Sequence, residues 1–181
     1  MMNSKSAIQR VVMMGLLVAL GFAGNAYADD ISDAKETVAL FKKTDPGLDR
    51  FFKDSVGYSV FPSVGKGAYI VGGAYGKGIL YEGGKPVGTA SLAQATIGLQ
   101  FGGQAYSEII FFETAGVLND FKSGTFALSG QVSGVALTAG AAATANYERG
   151  TAVFTATKGG LMVEASVGGQ KFSYTPFENK K

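Results

Sequence analysis

The chain contains no cysteine, no histidine and no tryptophan, and only 4 prolines among 181 residues. Without cysteine there are no disulfides, so stability must come from packing. There is also no thiol to carry a bacterial lipid anchor. The missing histidine and cysteine exclude Ser-His-Asp and Cys-His nucleophiles in their usual form. Zinc and haem sites built on those ligands are excluded likewise. Charge is sparse and nearly balanced, with 16 basic against 14 acidic residues. Lys5 and Arg10 account for the whole excess, so residues 29–181 are neutral on balance and have no global field to attract nucleic acid.

Those two cations open an N-terminal address. They precede the apolar run Val11 to Phe22, the small-residue site Ala26-Tyr27-Ala28 and then Asp29-Asp30. A basic start, a short apolar stretch and a small-x-small cleavage site are the parts of a secretory signal. The run is short for a membrane span, which needs about 20 residues. The expected organisation is a signal peptide over 1–28 and one domain over 29–181, released into the periplasm or held at the envelope.

Glycine and aromatic residues are what the chain has in quantity. They alternate from Gly57 to Phe112 with little charge between them. Glycine within strand-like runs marks bulges, bends or the close approach of another backbone. Before this block, residues 30–55 read as helical. Asp33 and Glu36 fit an N-terminal capping pattern, and Ala34, Val38 and Phe41 form one apolar stripe. Asp45-Pro46-Gly47 breaks the run, and a second short helix spans Leu48 to Asp54. The pair either packs on the sheet or forms an amphipathic membrane-surface element, with Lys42, Lys43, Arg50 and Lys53 flanking Phe51 and Phe52.

Strands follow. The spacing predicts Tyr58–Phe61 ending at Pro62, then 68–74 and 78–82 separated by Tyr75-Gly76-Lys77. Gly83-Gly84-Lys85-Pro86 is a turn signal. Val87 to Phe101 and Gln104 to Phe112 come next, the latter ending in Ile109-Ile110-Phe111-Phe112, a run suited to burial on both faces. Thr114 caps a short helix to Phe121, closed by Ser123-Gly124. Further strands are expected over 125–133, 135–147, 151–157, 161–167 and 171–174, although Ala139 to Ala145 has a helical composition. The fold class is β-rich α+β, a bent antiparallel sheet approaching a barrel, with an N-terminal helical segment and one inserted short helix.

Catalytic residues, metal ligands and a cofactor site are not expected. Glu108 and Glu113 flank the apolar run and Glu164 lies in an expected strand with a face open to the interior, and all three read as ordinary rim or turn carboxylates rather than a glycosidase-like pair. The triplets Gly65-Lys66-Gly67 and Gly76-Lys77-Gly78 fail the phosphate-loop pattern, because glycine follows each lysine where Ser or Thr is needed. Lys66 and Lys77 on turns remain able to meet a lipid phosphate as point charges.

Taken in order, Gly57-Tyr58-Ser59-Val60-Phe61-Pro62-Ser63-Val64-Gly65-Lys66-Gly67, the segment 72–78, the segment 98–104, the 109–112 run and Phe121-Lys122-Ser123-Gly124 resemble the SYLF domain family. The likeness spans roughly Ala34 to Phe177. Eukaryotic members bind phosphoinositides, fungal members also bind actin filaments, and secreted bacterial members are associated with lipid. The resemblance therefore implies a non-enzymatic protein that binds phospholipid or a membrane surface, with Lys42, Lys43, Phe51, Phe52, Lys66 and Lys77 as candidate contacts. The chain lacks the strongly basic patch that highly charged phosphoinositides call for. An envelope protein partner is the alternative. A small outer-membrane barrel is a further one, against which stand the missing tryptophan and the charged N-terminal helix.

Overall fold

The computed structural model of the protein describes residues 26–65, 73–95, 105–128, 134–157 and 169–178. Helix α1 runs Ala26–Thr44, a 3-10 turn covers Pro46–Leu48, and α2 is Asp49–Asp54. Strands β1 (Gly57–Gly65), β2 (Gly73–Glu82), β3 (Lys85–Ala95) and β4 (Tyr106–Phe112) follow. Helix α3 (Ala115–Ser123), strand β5 (Val135–Ala136), helix α4 (Ala141–Thr144), and strands β6 (Thr151–Thr157) and β7 (Gln170–Pro176) complete the order. The seven strands form one sheet in the order β5-β6-β4-β1-β2-β3-β7. The class is β-rich α+β, as the sequence suggests. The described sheet is open rather than closed into a barrel, and the β5–β6 pair at one edge is parallel while the others are antiparallel.

The middle of the sheet is buried on both faces. Successive residues of a strand point to opposite sides, so β4 divides its apolar run between two cores. Ile110 and Phe112 join Phe61, Leu80, Leu92, Phe121 and Phe172 on one side. Ile109 and Phe111 join Phe41, Leu48, Phe51, Ile79 and Phe154 on the other. Helix α3 packs against the first face and α1 against the second, over β1 and β2. Thr114 caps α3 by accepting a hydrogen bond from the Val117 amide (3.4 Å). Among the described residues no helix is long and apolar enough to cross a membrane.

Several expected boundaries move. Strand β1 continues past Pro62, which sits at a register shift against both neighbours. A bulge tolerates proline because no ladder hydrogen bond is demanded of it there; the Pro62 carbonyl instead accepts from Ser107 Oγ (2.8 Å). Tyr75-Gly76-Lys77 is not a turn but the interior of β2, paired with β1 and β3. Asp33 does not start a helix, since α1 is already under way and Thr37 Oγ1 donates back to the Asp33 carbonyl. The expected strand 135–147 is β5 followed by α4, its alanines helical after Gly140 at φ +81°. Residues 125–128 meet β7 only at an isolated bridge, Ala127 with Lys171. Residues 129–133 and the predicted strand 161–167 lie outside the described residues.

The second Gly-Lys-Gly triplet has a packing cause. A Cβ on Gly78 would stand 2.4 Å from the Val60 carbonyl oxygen and 2.7 Å from Phe61 Cδ1, and one on Gly76 2.8 Å from Val64 Cγ2. The bulge of β1 presses on β2 there and leaves no room for a side chain. Gly78→Ala should lower stability by about 1–3 kcal/mol, measured as a lower urea midpoint with an unchanged slope. An unchanged midpoint would show that the strands separate at no cost.

Candidate functional site

The predicted contact residues fall in two separate places and in the core. Lys42, near the end of α1, pairs with Asp49 Oδ1 at 2.8 Å and lies 4.4 Å from the centre of the Phe52 ring. That ammonium holds the Asp49 carboxyl below its ordinary pKa, through a hydrogen bond first and charge second. Lys43 is exposed. Phe52 is half-buried against Tyr58 and Phe111. Phe51 is 2% exposed and contacts Phe111, Tyr147 and Phe154. Its ring is thus a core element rather than a group presented to lipid. Lys66 lies outside the described residues.

Lys77 stands elsewhere. Tyr75, Lys77, Ile79 and Tyr81 share one face of β2; the last two are covered, whereas Tyr75 and Lys77 are exposed. On the same side of the sheet, Lys77 pairs with Ser91 of β3 and Ser91 with Ser173 of β7. The two serine hydroxyls are hydrogen-bonded at 2.6 Å. Thr89 and Thr175 form the next such pair. This flank of the sheet is an exposed, hydroxyl-bearing surface beside the first half of α1. It holds a cleft of about 350 Å³ that includes Tyr27, Asp30, Tyr75, Lys77, Ser91 and Ser173. A neighbouring cleft of about 290 Å³ shares Asp30, Tyr75 and Lys77, and adds Asp33, Pro62 and Ser63. Asp30 and Lys42 are twelve residues apart on one helix, or roughly 18 Å at 1.5 Å per residue. The structure therefore does not gather Lys77 with Lys42 and Lys43. Sequence reading missed Asp30, Asp33, Tyr75 and the two serines, which come from four separate segments.

A second polar group is internal. Glu108 was expected at a rim, yet it is fully buried in β4, on the face shared by Ile110 and Phe112. Gln170 Nε2 donates to Glu108 Oε2 (3.0 Å) and to Tyr106 Oη (3.2 Å), and Tyr106 Oη donates to Gln94 Oε1 (3.3 Å). Glu108 Oε1 and Gln170 Oε1, both buried, have no hydrogen-bond partner among the described residues. Burial pushes the Glu108 carboxyl up to about 7, against a smaller opposing effect of the Gln170 hydrogen bond. The same burial raises the Tyr106 hydroxyl. The alternation of β4 was the available signal, since counting back in twos from Phe112 puts Glu108 inside. Glu113 is exposed, and Glu164 lies outside the described residues. No group of three or more acidic side chains among the described residues is arranged to hold a metal.

Two consequences can be measured. Phe51→Ala should cost about 3–5 kcal/mol of stability, as for other buried aromatics, seen in urea unfolding; a loss under about 1 kcal/mol would return the ring to the surface. For Glu108, the folded state keeps a proton between pH 4.5 and about 7 that the unfolded chain has released. Its contribution is complete below the lower value and is lost as pH rises through the upper one, a fall of about 3 kcal/mol. Unfolding midpoints recorded across that window should decline with pH in the native sequence and decline less in Glu108→Gln. Parallel pH profiles would contradict the buried acid.

Residues 93–181 match the family described as Ysc84, a Las17-binding protein actin regulator. The match takes in the 98–104, 109–112 and 121–124 segments and the strands from β4 to β7. No curated protein matches the chain. Over residues 93–181 the chain is thus similar to the SYLF (Ysc84) domain family, in agreement with the motifs in its sequence.

Proposed function

We propose that the protein is a lipid-binding protein of the bacterial periplasm or envelope, without enzymatic activity, that meets phospholipid at a membrane surface. The observation that carries this reading is the pair Tyr75 and Lys77, exposed side by side over the hydroxyl-bearing flank of the sheet. Tyrosine combines an apolar body with a polar tip and suits the level of lipid headgroups. A lysine beside it meets phosphate as a mobile point charge. The two cores support contact at the surface over enclosure of an acyl chain, because they are filled by interlocking aromatic rings. The N-terminal leader supports the location.

The description of the matched family as Las17-binding favours a second reading, an envelope protein as partner. Recovery of one protein from detergent-treated envelope, retained after lipid extraction, would support it.

Vesicles containing both phosphatidylethanolamine and phosphatidylglycerol should carry the protein with them on flotation. Combining Tyr75→Ser with Lys77→Gln should weaken binding about thirtyfold, the effect of two lost contacts of about 1 kcal/mol each. Equal recovery of native protein away from vesicles, at low and moderate salt, would end this reading.

A further inference from the structure

The charge arrangement around Lys77 is mixed, and this bears on which lipid the site would take. The two clefts share Asp30, Tyr75 and Lys77, so they adjoin one another beside the first half of α1, and the pair is called the groove below. Among the side chains that line the groove are one ammonium, Lys77, and two carboxylates, Asp30 and Asp33; a cut after Ala28 would add an α-ammonium at Asp29, which the Asp29 carboxylate offsets. Among the described residues no ion pair is made by any of the three. A purely anionic headgroup drawn to Lys77 would bring negative charge towards two carboxylates. Repulsion of that kind is comparable to the attraction when the charges lie at similar distances. A ligand carrying both signs meets no such conflict.

We propose that this groove binds a zwitterionic headgroup bearing a primary ammonium, that of phosphatidylethanolamine in a bilayer. The proposal rests on the lipid-binding reading above. The phosphate lies against the Lys77 ammonium and the Ser91–Ser173 hydroxyl pair. The headgroup ammonium lies against Asp30 and Asp33, to which it offers three N–H donors, as a lysine side chain does. Tyr75 fits the boundary between headgroup and acyl region. A choline headgroup bears the same charge but no N–H donor, so it leaves the carboxylates without hydrogen bonds. Phosphatidylglycerol supplies hydroxyl donors but keeps a net negative charge.

The test compares flotation of the purified protein with three vesicle types: phosphatidylcholine alone, phosphatidylcholine with phosphatidylethanolamine, and phosphatidylcholine with phosphatidylglycerol. The expected result is about tenfold tighter binding to the phosphatidylethanolamine vesicles than to either other type, the effect of one charge-assisted hydrogen bond. Asp30→Asn with Asp33→Asn should erase that preference, and Lys77→Gln, tested separately, should weaken binding to phosphatidylethanolamine vesicles about fivefold. Circular dichroism of each variant shows whether the fold is kept. Equal or tighter binding to phosphatidylglycerol vesicles, or a preference unchanged in the folded aspartate variant, overturns the proposal and leaves lipid binding standing. Failure to bind any of the three vesicle types overturns both.

Discussion

A sheet whose central strands are apolar on both sides must be covered twice. Strands β4 and β1 impose this demand, and most of the architecture answers it. Helix α3 closes one side through Leu118 and Phe121. Helices α1, α2 and α4 close the other through Phe41, Phe51 and Ala142. The short helix α4 is too small to hold itself in place, since isolated helices of one turn are unstable in water. Two side chains from the α1–α2 region fasten it. Asp45 Oδ2 accepts from the Ala142 amide (2.6 Å), and Arg50 Nη2 donates to the carbonyls of Ala142 (2.7 Å) and Ala145.

The groove lies where this second cover stops. Helix α1 packs on β1 and β2. Beyond them, β3 and β7 carry Thr89, Ser91, Ser173 and Thr175 on the uncovered side, and Ala90, Leu92 and Phe172 on the covered one. Serine and threonine keep strand geometry while tolerating water, so the sheet remains a sheet where no described element lies above it. The same alternation that buries Phe172 thus presents Ser173. Core and groove are two sides of one pattern.

Signals contained within a few neighbouring residues were legible in the chain. The 109–112 run, the Thr114 cap with its Gly124 stop, and the Gly83-Gly84 turn each depend on such a local code. The misreadings share a different cause. Gly76 reads as a turn glycine because glycine serves turns and close strand contacts alike, and the deciding neighbours, Ser63 and Val64, are distant in sequence. Pro62 read as a strand end because a bulge is specified by its partner strands. Asp33 read as a cap because the true start of α1 lies in residues assigned to a cleavage site. Lys77 was picked out by its glycines, but its setting was not: Asp30, Ser91 and Ser173 reach it only through tertiary pairing. The same holds for Glu108, whose partner Gln170 lies 62 positions away.

Helix α1 has one consequence for the life history of the chain. It passes without interruption through Ala28, and Tyr27 rests edge-on against Phe177 at 5.0 Å. A peptidase that grips an extended backbone cannot work on a bond wound into a helix. Were the leader expected over residues 1–28 to be severed after Ala28, the cut would have to precede the winding of α1 through that bond. Such a cut would start the helix at Asp29 and take Tyr27 away both from Phe177 and from the cleft that it lines with Lys77.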